Sequence, residues 1–208
     1  MHKQTLALGE FEGSMLPLVS AFVLAGGKST RMGSDKAFVV LDGETLLHRA
    51  LQTLRALTHQ VMIVGLKSQF STYAPVVEDV FLERGPLGGI HAALMSTATE
   101  LNLVLAVDLP FIDPAFLKYM CNRARETQAL VVIPRAAGGW QPLCAVYRKG
   151  FGTLAEEALS GGRNKIDSLF TDVSVAAIEE QEITHAGFSV DMFRNINTRE
   201  QLKEASGA

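Results

Sequence analysis

The residues with the most chemical promise lie in one run, Leu24-Ala25-Gly26-Gly27-Lys28-Ser29-Thr30-Arg31-Met32-Gly33-Ser34-Asp35-Lys36. Its glycines allow close backbone approach, so successive amide N–H groups can converge on an anion. Arg31 and Lys36 bring full positive charges to the same place. Such a loop suits a triphosphate. Two familiar phosphate loops do not fit it. A P-loop ending in Gly27-Lys28-Ser29 would need glycine where Phe22 stands, and glycines at 26, 27 and 33 miss the dinucleotide spacing G-x-G-x-x-G.

A second feature is a carboxylate. Asp108 directly follows the apolar run Leu103–Val107 and begins Asp108-Leu109-Pro110-Phe111. An aspartate at the carboxyl end of a buried strand is well placed to meet a phosphate-bound metal. Mg²⁺ uses one or two protein carboxylates, with phosphate oxygens and water completing its octahedron. Asp108 is therefore the expected metal ligand.

The elements that must position these groups read as alternating strands and helices. Strands are expected at Ala21–Ala25, Val61–Gly65, Pro75–Val77, Leu103–Val107 and Leu130–Pro134. Several are apolar throughout, as parallel strands covered on both faces tend to be. Helices are expected near Thr45–Leu57, Leu87–Thr97 and Pro114–Ala124, the last with Asp113 as N-cap and Pro114 at its first position. Beyond Ala136-Ala137-Gly138-Gly139 the spacing predicts one extended antiparallel segment, Trp140–Tyr147. Helices near Gly150–Leu159 and Ile166–Phe170 and a strand near Val173–Ile178 follow. Thr198 and Gln201 form a capping-box pattern for a final helix. The predicted architecture is α/β: a doubly wound, mostly parallel sheet, helices on both faces, and one antiparallel strand. Ligands of such sheets bind outside the carboxyl ends of the strands. Residues 18–208 read as a single domain and residues 1–17 as an N-terminal extension.

Composition narrows the function. The 208 residues carry 19 basic and 22 acidic side chains, a net charge of -3 without a basic block, which argues against nucleic acid. Two cysteines, Cys121 and Cys144, are too few for a disulfide framework or a four-thiolate zinc site, and both sit in apolar company as buried thiols. The apolar stretch Met15–Ala25 contains Pro17 and is shorter than the ~20 residues of a membrane helix. Glu10 and Glu12 precede it, where a signal peptide would be basic. A cytoplasmic protein without membrane partners is expected.

The loop resembles the signature L-A-G-G-x-S-x-R-M-G-x-D-K of the molybdenum cofactor guanylyltransferases, within the sugar-phosphate nucleotidyltransferase-like superfamily, and matches it at every fixed position. The likeness runs from about Val19 to Glu204. It implies transfer of GMP from GTP to the terminal phosphate of molybdopterin, with Mg²⁺ as cofactor and pyrophosphate as the second product. It further implies that Leu24, Ala25, Gly26 and Gly27 cradle the nucleotide, Lys36 sits at the α-phosphate, Arg31 lies near the leaving pyrophosphate, and Asp108 binds the metal. Val77-Glu78-Asp79 resembles the family's E-D pair, which assigns Asp79 to the nucleotide. Gly85-Pro86-Leu87-Gly88-Gly89 resembles G-P-L-x-G, whose Gly88 would leave room for base or ribose. His91 in the same helix reads as a packing residue.

On the acceptor side the resemblance points to Trp140, Arg163, Asn195 and Asn197. Trp140 is read either as an aromatic cover for a flat pterin or as a core residue. Arg163, in Arg163-Asn164-Lys165, either docks an anionic acceptor or belongs to a solvated basic turn. Asn195 and Asn197, in Phe193-Arg194-Asn195-Ile196-Asn197-Thr198, alternate to one side of an extended segment and so can face one site. Turn and cap chemistry is their other reading. Other proteins of molybdenum cofactor assembly and acceptor molybdoenzymes would be transient partners. One departure stands out: Gly65-Leu66-Lys67-Ser68 lacks the asparagine that helps relatives read the purine. A cytidylyltransferase for the same pterin and a non-catalytic nucleotide-binding module are the alternatives.

Overall fold

The computed structural model of the protein describes residues 18–26, 36–196, 198 and 201–202. Gly27, Arg31 and Asn197, like the N-terminal extension, lie outside the described residues. In chain order the elements are β1 (Val19–Leu24), β2 (Val40–Leu41), β3 (Glu44–Thr45), α1 (Leu46–Arg55), β4 (Val61–Val64), α2 (Lys67–Phe70), β5 (Val76–Val77) and α3 (Pro86–Met95). They continue with β6 (Leu101–Ala106), α4 (Pro114–Glu126), β7 (Val131–Ala136), β8 (Gly139–Trp140), β9 (Cys144–Arg148), α5 (Phe151–Ser160), β10 (Val175–Glu179) and α6 (Glu180–His185).

The main sheet runs β10-β7-β9-β6-β1-β4-β5, with β8 paired to β7. β1 is parallel to both β4 and β6, whereas β9 runs antiparallel between β6 and β7. Alternation along β1 shows why the sheet must be covered twice. Val19, Ala21 and Val23 join one buried cluster with the apolar stripes of α1 and α4. Phe22 and Leu24 join the other, with α3 and α5. Successive side chains point to opposite faces, so a strand buried on both faces, as β1 is, needs helices on both sides. The doubly wound prediction is borne out, with two antiparallel strands in the main sheet, β8 and β9, where one was expected.

Local signals account for the element ends. The Asp113 carboxylate accepts the Ala115 N–H at 2.7 Å, with Pro114 opening α4. Thr198 and Gln201 bond reciprocally at 3.2 Å, as the capping-box pattern predicted. Two expectations need correction, and several short elements were missed. The segment Trp140–Tyr147 is not one strand: Gln141–Cys144 is a turn closed by the Cys144 N–H on the Gln141 carbonyl at 3.0 Å, with Pro142 in its second position. The helix expected over Ile166–Phe170 is a 3-10 turn, Asp167–Leu169. The β2–β3 hairpin was missed although Asp42-Gly43 adopts the paired positive φ (50° and 84°) of a tight hairpin turn. Short α2 and α6 were missed too. No described helix is long and apolar enough to cross a membrane.

Candidate active site

Hydrogen bonds at the carboxyl edge draw the ends of the central strands together. The Val107 N–H donates to the Leu24 carbonyl at 3.1 Å, and the Ala25 and Gly26 N–H groups both donate to the Val64 carbonyl at 3.0 and 3.2 Å. Leu24, Ala25 and Gly26 therefore leave β1 between the ends of β6 and β4. Lys36 begins a 3-10 turn, Lys36–Phe38, that returns the chain to this edge. Its Nζ lies 3.0 Å from Asp108 Oδ2, just past β6. Both side chains keep about a fifth of their surface exposed (22% and 21%), so a ligand can reach them from the open edge.

The Ile196 N–H donates to the Asp108 carbonyl at 3.0 Å. That bond brings the exposed Asn195 next to the Asp108 loop. Beyond it opens a cavity of about 470 Å³ lined by Phe111, Asp113, Ser189, Asp191, Met192 and Arg194. The Arg194 guanidinium rests over the Phe111 ring, 4.6 Å from its centroid.

On the opposite side of β1, Asp79 follows β5 and packs on the first turn of α3. A Cβ added to Gly88 would lie 2.6 Å from Asp79 Oδ2, so glycine is what lets the carboxylate lie against this helix. Asp79 Oδ1 accepts the Phe81 N–H at 2.8 Å. Burial raises the Asp79 pKa above its ordinary value, opposed by that amide and by His91. Gly65, the first residue of the segment Gly65-Leu66-Lys67-Ser68, is also a close-approach glycine. A Cβ there would meet the Phe70 ring at 2.7 Å, and Phe70 is buried and stacked on Phe38, the last residue of the turn that Lys36 begins. Phe70 is thus an aromatic brace between Gly65 and the turn that Lys36 begins. Nothing in the spacing Gly65 to Phe70 signalled it.

Trp140 and Arg163 make their contacts elsewhere. Trp140 is half-buried at the end of β7, with Phe170 edge-on at 5.6 Å and the Arg135 guanidinium 5.1 Å from its ring centroid. Arg163 is exposed and paired with Asp172 at 3.0 Å. Trp140 pairs with β7, two strands away from β6, whose end carries Asp108. Among the described residues no three His, Cys, Asp or Glu side chains come together as a metal cage. A metal at this edge would have Asp108 as its protein oxygen and would draw further ligands from phosphate and water, a donor set that fits Mg²⁺.

Comparison with known proteins identifies the family. The family model described as MobA-like NTP transferase domain matches residues 21–177. The molybdenum cofactor guanylyltransferase of Desulfosudis oleivorans is 35% identical over 91% of this chain and 95% of its own. That of Syntrophotalea carbinolica is 31% identical over 89% of each. The crystal structure of molybdopterin-guanine dinucleotide biosynthesis protein A from Archaeoglobus fulgidus superposes with a TM-score of 0.80 at 27% identity, covering 90% of this chain and 97% of that one. A loop of the matching signature, a lysine and an aspartate joined across two strand ends, and relatives spanning nearly the whole length lead to one assignment: the chain is an enzyme, a nucleotidyltransferase of the MobA-like NTP transferase family, and belongs to the molybdenum cofactor guanylyltransferases.

Proposed function

We propose that this enzyme transfers GMP from GTP to the terminal phosphate of molybdopterin, releasing pyrophosphate. The observation that carries the reading is the Lys36–Asp108 pair at 3.0 Å, at the carboxyl edge between β1 and β6. An oxygen of the pterin phosphate attacks the α-phosphorus of GTP. The bond from that phosphorus to the bridging oxygen of the β-phosphate breaks, and the electron pair leaves with pyrophosphate. The nucleophile is already an anion, so no strong base is needed. Catalysis then rests on positioning and charge neutralisation.

In this scheme the Lys36 ammonium passes from the Asp108 carboxylate to an oxygen of the α-phosphate as the nucleotide enters. Asp108 would then hold Mg²⁺, which would supply charge neutralisation on the triphosphate. Arg31 stabilises the departing pyrophosphate, and the Leu24–Gly27 segment cradles the nucleotide. Asp79, with Gly88 giving it room, accepts hydrogen bonds from the nucleoside. The pterin approaches from the Asn195 side, with Asn197 as its second amide. The reaction belongs in the cytoplasm, where other cofactor-assembly proteins deliver the pterin and molybdoenzymes receive the product.

Pyrophosphate release from GTP, CTP and ATP, with Mg²⁺ and purified molybdopterin, tests the reading. Pterin-dependent release from GTP is the expected result. Release from CTP alone would keep the chemistry and change the base. GTP binding without release by folded protein, beside an active control enzyme, would favour a binding module.

A further inference from the structure

His91 occupies an expensive position for a polar ring. It is 4% exposed, and neither ring nitrogen has a hydrogen-bond partner among the described residues. Every protonation state of imidazole offers at least one N–H donor, and a buried donor left unmatched costs the full loss of its hydration. An apolar side chain of similar size would avoid that cost, so the fold alone gives no reason for histidine here.

Its surroundings suggest one. His91 lies three residues beyond Gly88 on α3, hence on the same helix face. Gly88 is where the Asp79 carboxylate rests, with a Cβ there only 2.6 Å from Oδ2 and 3.0 Å from Oδ1. Phe81 links the two groups: its N–H donates to Asp79 Oδ1, and its ring meets the His91 ring edge-on at 5.0 Å. The Asp79 carboxylate therefore has a firm donor for one oxygen, and the helix face on which it rests carries, one turn on, a histidine without a hydrogen-bond partner among the described residues.

We propose that His91 is a positioning residue for Asp79. When nucleotide occupies the edge, a His91 ring N–H donates to the Asp79 carboxylate, directly or across one bridging water, and fixes the oxygen that accepts from the nucleoside. The proposal rests on the nucleotide role of Asp79 given above. It adds a residue that touches neither GTP nor the pterin.

A double-mutant cycle on the full-length protein, read by calorimetric GTP binding and by melting temperature, tests it. The variants are His91→Phe, His91→Gln, Asp79→Asn and the pairing of Asp79→Asn with His91→Phe. His91→Phe should weaken GTP binding about tenfold, the scale of a hydrogen bond to a charged group, without lowering the melting temperature. His91→Gln, which keeps a donor, should recover part of the loss. In the Asp79→Asn background His91→Phe should cost less than about twofold, because the group it positions has lost its charge. Unchanged GTP affinity in His91→Phe, or the same loss in both backgrounds, overturns the proposal. Should the larger ring prevent folding, His91→Leu enters the same cycle. Wild-type protein that binds no GTP at all removes the nucleotide reading together with the proposal, an outcome distinct from wild-type binding that His91→Phe leaves untouched.

Discussion

Lys36 and Asp108, 72 positions apart in the chain, meet at 3.0 Å because β1 and β6 are hydrogen-bonded neighbours. Each belongs to a loop leaving the carboxyl end of one of those strands. The pairing stores opposite charges at the place where a triphosphate would need both a cation and a metal ligand.

Removal of either charge should be read in turnover rather than in stability. Lys36→Ala and Asp108→Ala are each expected to lower pterin-dependent pyrophosphate release by ~10² or more, the scale of losing one preorganised electrostatic group. Chelation of divalent metal should abolish release in the wild type. A Lys36→Ala enzyme at near-normal rate would take that side chain out of the reaction.

Gly65 should tolerate no side chain. Its Cβ would press on the Phe70 ring, which is buried and stacked on Phe38 at 5.8 Å. Gly65→Asn is therefore expected to lose about 1–3 kcal/mol, the range for overpacking. It should not gain guanine selectivity, because the turn that begins at Lys36 shifts with Phe38. Urea unfolding together with the ratio of GTP to CTP turnover checks both halves. A stable Gly65→Asn with sharper selectivity would contradict the packing argument.

Asp79 carries a stability cost with a definite pH dependence. Its folded-state pKa is raised above 3.8, first by burial. A carboxyl with a raised pKa contributes fully below the unfolded value and loses that contribution as pH rises through the folded one. Asp79→Asn should thus melt above wild type at pH 7, with the gap closing as pH falls toward 3.8. GTP binding should weaken in the same variant. A gap that stays constant with pH would show that charge is not the cause.

The thiols should be silent in the native protein. Burial pushes the Cys121 thiol up to about 12 and raises that of Cys144 as well. Only the thiolate is nucleophilic, so a thiol reagent at pH 8 should label neither cysteine until denaturant is added. Rapid native labelling with loss of activity would instead place a thiol near the site.

How much of this could be read from the chain alone follows from the range of the forces involved. The apolar runs of β1 and β6, the Asp113-Pro114 start of α4 and the Thr198–Gln201 cap are local signals, each decided within a few residues, and each appears in the structure. Family membership was legible for a similar reason, since a phosphate loop must supply its glycines and cations from one contiguous segment. Local chemistry could not reveal which loops meet. That Lys36 reaches Asp108, that Ile196 brings Asn195 to the same loop, and that Phe70 fills the space beside Gly65 depend on strand order and on packing between distant segments. The isolation of both His91 nitrogens is likewise a tertiary fact. A histidine in a helix looks the same in sequence whether its partner is water, a carboxylate or nothing, and only the burial of α3 beneath the Asp79–Phe81 segment decides which.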